Sequence, residues 1–472
     1  MSTELKRELG FWDLVLFHVT AIIGLRWLAV AAAIGYSSVP LWGLAFAGFF
    51  LPQAYVLMKL TRKWPVEGGL YEWTKMAMGP FHGFLCGWCY WVNNVTYYPA
   101  LMTTAAGFAT YIFGGSRALE ANKFYIVTFS LVGFWIVVIL NIVGMKIGKW
   151  VTNIGAVSTW IAAGLSIILG AIYLVKSGNA SPFEPGKLIP AATLDNFSTW
   201  ALMCFAMAGF ELVSLMGGEI KEPERNIPRS IVFGGAIATV IYIVGTLSLI
   251  VSVPYQQISQ ISGILQALVA QTNEFGASFL VPLVAIVLVI SQCGGVAAWL
   301  AGSNRAMMMA GVDSYVPKAF AKIHPRWGTP YVSILVQAVI SSVIVLMSAA
   351  GSTVEQFYRL LLDYNLIIYF IPYLYLFLSY WRFMRKGEMP MSSGGIISSI
   401  VGFATTFIAI VLSFNPTGVK YEAVPLSILG WNFSMNDAAL YEVKLVVVFV
   451  GMIGIGILLY ARAMRKNKAI AS

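Results

Sequence analysis

Charged residues are scarce in this sequence. Asp, Glu, Lys and Arg make up 11% of the 472 residues and 59% are hydrophobic, whereas globular domains carry roughly 25% charged residues. This composition excludes an ordinary soluble protein. It supplies enough apolar positions for about twelve membrane-spanning helices of about 20 residues each, and it leaves no room for a separate soluble domain.

Cysteine and histidine are also rare. The four cysteines lie in apolar stretches, so we expect no disulfide bond. Cys86 and Cys89 form a Cys-x-x-Cys pair, but without a second pair it indicates helix packing rather than a zinc or redox site. The three histidines are widely separated and form no metal-binding motif. We therefore predict no metal site, no cofactor and no enzymatic activity.

Twelve apolar segments bounded by charged residues, Gly or Pro predict twelve transmembrane helices. The first is too long for a signal peptide, contains Arg26 and lacks a cleavage site, so we expect it to be retained. The first six spans are predicted near residues 11–35, 39–58, 81–113, 124–143, 150–175 and 196–218. The second six are predicted near residues 229–253, 278–302, 331–350, 357–381, 394–414 and 442–461.

The distribution of Lys and Arg predicts the orientation, because these residues are retained on the cytoplasmic side. With the N-terminus inside, 22 of the 30 basic residues fall in cytoplasmic segments, Arg305 among them, and 7 in outer loops. Both termini are therefore predicted to be cytoplasmic, in a multi-pass protein of the cell (inner) membrane. Topology and anionic lipid headgroups explain the net charge of +10, so we expect no nucleic acid partner.

Two charges, Arg26 in span 1 and Glu211 in span 6, are predicted at mid-membrane depth. An ionisable group there costs at least about 2.5 kcal/mol, so it normally faces a polar cavity or a partner. Gly24 and Gly209 lie close to these charges in sequence. Glycines at corresponding points of two halves indicate an inverted repeat with two discontinuous helices around a binding site. Close helix packing is the alternative explanation for the glycines.

Three stretches together resemble the amino acid/polyamine/organocation (APC) superfamily of secondary transporters. They are Ile23-Gly24-Leu25-Arg26, residues 65–73 (PVEGGLYEW), and the span 6 run with its tail over residues 218–229 (GEIKEPERNIPR). The resemblance implies an all-α, LeuT-like fold of two inverted five-helix repeats plus two C-terminal helices, with helices 1 and 6 discontinuous. The repeats would cover residues 1–176 and 177–388, and the last two helices and the tail would cover residues 389–472.

In that superfamily, unwound helix 1 offers backbone N–H groups to a substrate carboxylate, and carbonyls of helices 1 and 6 receive the ammonium group. Half-helix ends provide the matching partial charges. The resemblance implies that Phe205 is an aromatic gate over the substrate, with core packing as the alternative. The substrate-binding positions that it implies are Ile22, Gly24, Leu25, Arg26, Phe205, Ala208 and Gly209.

Arg26 departs from the superfamily's Gly-x-Gly pattern in helix 1. The arginine either binds a substrate carboxylate, pairs with Glu211, or replaces a coupling cation, and all three roles disfavour a substrate that is only cationic. In helix 3, Tyr90, Asn94 and Tyr98 share one face by their spacing of four residues. They either line the pocket or form hydrogen bonds between helices.

Glu211, together with Arg26, is the predicted proton-coupling or gating group. Burial favours the neutral form of its carboxyl, whereas a nearby Arg26 favours the charged form. The lysine that proton-coupled relatives often carry in helix 5 is missing. Ser158 and Thr159 in that helix either line a sodium site or bond to their own backbone.

These features predict a secondary transporter for small-molecule L-amino acids, neutral or acidic in preference, that works by alternating access. We expect proton coupling or exchange, with Na⁺ as the alternative coupling ion, and contact with membrane lipid. Polyamine transport is the alternative function within transport, and a non-transporting amino acid sensor or a channel are alternatives outside it. The charged segment after span 6 is predicted to lie at the cytoplasmic gate.

Overall fold

The computed structural model describes residues 7–115, 117–347, 354–414, 423–428 and 431–471. Ten helices come first: α1 (Phe11–Ile22), α2 (Arg26–Ala32), α3 (Ser38–Ala45), α4 (Leu51–Lys63), α5 (Leu70–Met78), α6 (Pro80–Thr110), α7 (Arg117–Glu120), α8 (Lys123–Ile142), α9 (Met145–Ser177) and α10 (Leu194–Ala206). Seven follow: α11 (Pro223–Ser252), α12 (Gly263–Glu274), α13 (Leu280–Val312), α14 (Tyr331–Met347), α15 (Val354–Arg385), α16 (Ser393–Leu412) and α17 (Asp437–Ala471).

The predicted fold class, an all-α membrane protein, is confirmed. In the described part of the chain, nine helical segments are long and apolar enough to cross a membrane, and the bent pair α1 and α2 forms a tenth. The 31-residue α6 and the 17-residue α14 contain no Asp, Glu, Lys or Arg and complete the twelve predicted spans. The division of the chain into repeats at residues 176 and 388 stays a prediction.

Spans 1 and 6 are both interrupted, as predicted. In span 1, α1 ends at Ile22 and α2 begins at Arg26, after a bend of 48°. In span 6, α10 ends at Ala206 and the chain continues as a 3-10 helix over Phe210–Leu215. Gly209, just before the 3-10 helix, has a φ of +109°. Residues with a Cβ rarely adopt this conformation, so glycine favours the break at this point.

Side chains from other helices lie within hydrogen-bond distance of several carbonyl groups that the two breaks expose. The Tyr242 hydroxyl lies 2.7 Å from the carbonyl oxygen of Ile22 and 2.9 Å from that of Ala206. Trp299 donates its indole N–H to the Ala21 carbonyl at 2.9 Å. Gln53 donates to the Met207 carbonyl at 2.7 Å. Because lipid offers no hydrogen bonds, helix ends at membrane depth need such partners.

The two breaks lie in the centre of the bundle. The central helices α6, α9, α13 and α15 make the most extensive contacts of the described chain. The last helix, α17, lies at the edge of the bundle, since only 11% of its most apolar stretch is buried. The breaks of spans 1 and 6 are therefore enclosed by protein, while α17 has most of its surface open to lipid.

Several elements were not predicted from the sequence. They include α5, the 12-residue α12 and an antiparallel hairpin of β1 (Ala423–Ile428) and β2 (Trp431–Asn436), in which Ala423 pairs with Asn436. The glycine pair of the PVEGG motif turns the chain into α5, and a Cβ at Gly69 would lie 2.7 Å from the backbone oxygen of Ser214. The motif is therefore packed directly on the backbone that follows the break of span 6.

Candidate functional site

Arg26 is the first residue of α2 and is fully buried. Its Nη2 donates a hydrogen bond to the Tyr97 hydroxyl at 2.8 Å. The guanidinium carbon lies 4.4 Å from the ring centroid of Trp27 and 5.2 Å from that of Tyr97, within cation–π range. Nε and Nη1 have no hydrogen-bond partner among the described residues. Arg26 therefore has donors left for an anionic or polar ligand.

A narrow cavity adjoins Arg26. It is lined by Thr20 at the end of α1, by Tyr97 of α6, and by Ser291 and Gln292 of α13. The space open to the centre of a water-sized sphere is about 10 Å³, which is room for about one water molecule. In this conformation the cavity is too small for an amino acid, so the surrounding side chains would have to move before a substrate could bind.

Glu211 is also fully buried, and its carboxylate is surrounded by hydrogen-bond donors. The hydroxyls of Tyr90, Tyr369 and Tyr373 all bond to it, that of Tyr90 at 2.9 Å. The backbone N–H of Gly209 donates to Oε2 at 3.1 Å. An ionised carboxylate only accepts hydrogen bonds and has about four sites for them. This set of four donors therefore fits the ionised form of Glu211.

Five rings connect the two charges, and we call them the aromatic cluster: Trp27, Tyr97, Phe205, Trp299 and Tyr369. The Phe205 ring centroid lies 5.5 Å from that of Trp27, 5.9 Å from that of Tyr97 and 5.5 Å from that of Tyr369, with near-perpendicular planes in each pair. Such edge-to-face contacts are a favoured aromatic geometry.

Among the described residues, no ion pair joins Arg26 to Glu211. Each charge instead has its own set of partners, and the aromatic cluster lies between the two charges. Of the three roles that we considered for Arg26, pairing with Glu211 is therefore not observed in this conformation.

The predicted backbone positions lie around this cluster. The amide groups of Leu25 and Arg26 have no hydrogen-bond acceptor in the described part of the chain, as a carboxylate-binding half-helix end requires. The Gly24 amide instead bonds to the Ile22 carbonyl at 2.7 Å. On the other break, the Phe205 carbonyl accepts from the Ala208 amide at 3.1 Å.

The predicted face of helix 3 divides between two environments: Tyr90 bonds to Glu211, whereas Tyr98 bonds to other helices. The Tyr98 hydroxyl lies 3.2 Å from Oγ of Ser303 and 3.1 Å from Oε1 of Gln337. Asn94 donates to the Tyr90 carbonyl one turn back. The structure thus has Tyr98 in a hydrogen bond between helices, the alternative that the sequence left open.

The helix 5 hydroxyl of Thr159 makes a bond to its own backbone. It donates to the Gly155 carbonyl at 2.9 Å and lies 2.6 Å from the hydroxyl of Ser291. Backbone bonding was the alternative to a sodium site at this position.

A second group of charges closes the side of the bundle that bears the PVEGG loop, which we call the basic face. The gate cluster on this face consists of Glu67, Gly218, Glu219 and Arg305. Arg305 donates to both carboxylate oxygens of Glu219, at 2.7 and 3.1 Å, and the two side chains are 1% and 2% exposed. Glu67 accepts from the Gly218 amide at 2.7 Å, while its other oxygen is buried without a partner.

The gate cluster corrects the loop assignment of Arg305. The prediction ended span 8 at residue 302, but α13 continues to Val312, so Arg305 lies inside the helix and points into the protein. Burial and the neighbouring Glu219 raise the pKa of Glu67 to about 8. This shift favours the protonated form of the Glu67 carboxyl group.

Further contacts hold this face closed. Lys75 of α5 bonds to Asp313, just after α13, at 2.5 Å, and the Tyr71 hydroxyl donates to the same carboxylate at 2.5 Å. The Leu9 amide donates to the Glu219 carbonyl at 3.1 Å, and the Lys221 amide donates to the Leu9 carbonyl at 2.9 Å. The charged segment after span 6 therefore lies in a closed layer together with the N-terminal segment and the PVEGG loop.

Sequence reasoning missed most of the side chains that surround the two central charges. Tyr369 and Tyr373 lie one turn apart on α15 and Trp299 lies on α13, where the sequence offers no nearby motif. One signal was present: Tyr97 is seven residues after Tyr90, which is about two helical turns, so the two lie on the same face of α6.

Comparison with known proteins identifies the family that this chain resembles. The model of the amino acid permease family matches residues 9–434. An uncharacterized transporter of Legionella pneumophila is 26% identical, over 87% of this chain and 90% of its own length. A probable agmatine/putrescine antiporter of Lactococcus lactis is 23% identical, over 89% of this chain and 91% of its own. The branched-chain amino acid permease of Bacillus subtilis is 26% identical, over 70% of this chain and 72% of its own length.

Proposed function

The chain belongs to the amino acid permease family of the APC superfamily, and from this premise we propose that it moves neutral or acidic L-amino acids by alternating access. The proposal includes coupling to protons or to exchange, and a multi-pass location in the cell (inner) membrane with both termini cytoplasmic. The two breaks at the bundle centre are the proposed binding site, with the gate cluster as the inner gate.

One observation carries the substrate class: the guanidinium of Arg26 is buried with two of its three nitrogens unpartnered. The free amides of Leu25 and Arg26 begin the same half-helix, and a helix N-terminus attracts anions. A substrate carboxylate would satisfy all of these donors together. A cation without a carboxylate would instead meet a like charge.

The other end of the substrate has partners as well. An ammonium group over the aromatic cluster would gain cation–π attraction, with the carboxylate of Glu211 behind Tyr369. Because the aromatic cluster now fills this space, we propose that Phe205 swings aside when the substrate enters, as an aromatic gate would. The bonds that hold the gate cluster together would then break in the inward-open state.

Glu211 is the proposed proton-coupling group. Protonation would turn one acceptor oxygen into a donor, which conflicts with four donors already aimed at the carboxylate. Proton binding would therefore loosen the contacts that join the break of span 6 to α6 and α15. That is the kind of change that an alternating-access cycle requires.

Polyamine transport is the rival function, since one relative is named a probable agmatine/putrescine antiporter. A thermal-shift screen of the purified protein distinguishes the two, because a ligand that binds the folded state raises its melting temperature. The screen uses the twenty amino acids, their decarboxylated amines, putrescine and agmatine. We expect shifts from neutral or acidic amino acids and none from the matching amines. Shifts from amines alone would overturn the proposal in favour of polyamines.

Flux must be shown separately. Proteoliposomes that contain the protein should accumulate the labelled amino acid found in the screen, faster with an inward proton gradient or with amino acid inside. Binding without uptake under either condition would mark a sensor rather than a transporter.

A further inference from the structure

An open groove lies on the basic face between the end of α13 and the peripheral helix α17. Its volume is about 900 Å³, far larger than the cavity beside Arg26. One wall is the turn after α13, with Tyr315 and Lys318, and the other is the end of α17, with Leu459, Arg462 and Lys466. The groove is separate from the proposed substrate site.

The groove is positively charged without internal compensation. Lys318, Arg462 and Lys466 line it and are exposed, and in the described part of the chain none of them forms an ion pair. The single acidic residue in the lining, Asp313, is already bonded to Lys75 and Tyr71. Three cations therefore face one space with their charge unneutralised.

The position of the groove along α17 sets its depth in the membrane. The apolar part of α17 runs to Tyr460, and a group of basic residues at its C-terminal end begins at Arg462. Ile455 and Leu458 on this helix are 47% and 70% exposed, as expected of side chains that face lipid. The cations of the groove thus lie where the apolar surface ends, at the level of the phospholipid headgroups.

We propose that this groove binds the headgroup of an anionic phospholipid. Its phosphate would lie among Lys318, Arg462 and Lys466, with its acyl chains along the exposed apolar side of α17. Basic pockets between transmembrane helices bind anionic headgroups in this way, and each Lys or Arg near the surface contributes roughly 1 kcal/mol. A free phosphate would share the charge but would gain nothing from the apolar side of α17.

The test measures lipid binding to the purified full-length protein by native mass spectrometry. Phosphatidylglycerol, phosphatidylcholine and inorganic phosphate are titrated separately. The groove variant carries Lys318→Gln, Arg462→Gln and Lys466→Gln. The matched control carries Lys59→Gln, Arg62→Gln and Lys63→Gln, which removes the same charge from the last turns of α4 on the same face.

We expect the wild type to bind phosphatidylglycerol in preference to phosphatidylcholine. The groove variant should lose about fivefold in affinity for each neutralised charge, and the α4 control should stay within about twofold of the wild type. Equal losses in both variants would mean general surface attraction and would overturn the proposal. So would equal binding of the two lipids, or binding of inorganic phosphate at the groove without phosphatidylglycerol. Thermal unfolding of both variants in phosphatidylcholine verifies that they are folded.

Discussion

Arg26 and Glu211 are both fully buried in the middle of the same bundle, yet their hydrogen-bonding environments differ. Glu211 has four donors for its carboxylate, whereas Arg26 bonds through one nitrogen and leaves two without a partner. Burying an unsatisfied charge costs free energy. The difference indicates that Glu211 holds this conformation together, while Arg26 is kept ready for a group that the protein itself does not supply.

The largest expected effect comes from removing Glu211. Glu211→Ala would leave three tyrosine hydroxyls without their carboxylate acceptor, and we expect a loss of about 1–3 kcal/mol in the free energy of unfolding for each buried donor left unsatisfied. Thermal or denaturant unfolding in detergent measures this loss. Glu211→Gln, which keeps one acceptor oxygen, should fold and should lose the pH dependence of uptake. Unchanged pH dependence in the Gln variant would remove Glu211 as the proton site.

Arg26→Ala should change the stability of the fold little and the affinity for substrate strongly. The variant loses one hydrogen bond to Tyr97 but also loses an incompletely paired buried charge, so we expect the free energy of unfolding to change by less than about 1.5 kcal/mol. Affinity for the amino acid substrate should fall by about 2–5 kcal/mol, the cost of truncating one member of a buried charge pair.

Arg26→Lys is the control for Arg26→Ala. It keeps the charge but not the planar, multidentate donor set, so affinity should be intermediate. Binding of the substrate and of its decarboxylated amine is compared by isothermal calorimetry. If Arg26→Ala weakens the two ligands equally, Arg26 does not bind the carboxylate.

Glu67 extends the comparison to the gate cluster, since it also has one buried oxygen without a partner. Burial and Glu219 raise the pKa of Glu67 to about 8. The contribution of Glu67 to the stability of the fold is therefore fully present below the unfolded pKa of about 4.5. That stability is lost as pH rises towards 8, by up to about 1.4 kcal/mol per pH unit.

Glu67→Gln should remove this pH dependence, because the amide does not titrate. The measurement is the unfolding free energy of the wild type and the variant between pH 5 and 9. Parallel curves for the two proteins would contradict the role of Glu67. Asp195, an exposed acidic residue in the first turn of α10, provides the matched control as Asp195→Asn.

The smallest effect separates two neighbouring tyrosines. Tyr98→Phe removes contacts with Ser303 and Gln337 and should cost about 0.5–1.5 kcal/mol in stability, with the KM of uptake unchanged. Tyr97→Phe removes the partner of Arg26 and should change that KM by about threefold or more. A larger KM change for Tyr98→Phe than for Tyr97→Phe would indicate that Tyr98 lines the substrate pocket.

The sequence predicted the twelve spans and both breaks for local reasons. Apolar runs with sharp ends mark helices in lipid, and Gly209 needs a backbone conformation that glycine adopts readily. Arg26 and Glu211 could be found because charge is rare at mid-span depth. Each of these signals is carried by a few adjacent residues.

The remaining features depend on contacts between distant segments. Tyr369 reaches Glu211 across 158 positions of sequence, and no local pattern indicates such a partner. The rotation of α6, which turns Tyr97 towards Arg26 and Tyr98 away, depends on how α6 packs against α13 and α15. Arg305 was assigned to a loop because a basic residue usually ends a span, whereas Glu219 makes its burial possible.

The hydroxyl of Tyr242 lies within hydrogen-bond distance of both broken helices, at the carbonyls of Ile22 and Ala206. A phenol carries a single proton, so it donates to only one of these oxygens at a time. At every instant, one of the two half-helices therefore presents a carbonyl lone pair that Tyr242 has left open. One rotatable O–H bond thus links the two broken spans: when it turns to one break, it leaves an acceptor free of Tyr242 at the other.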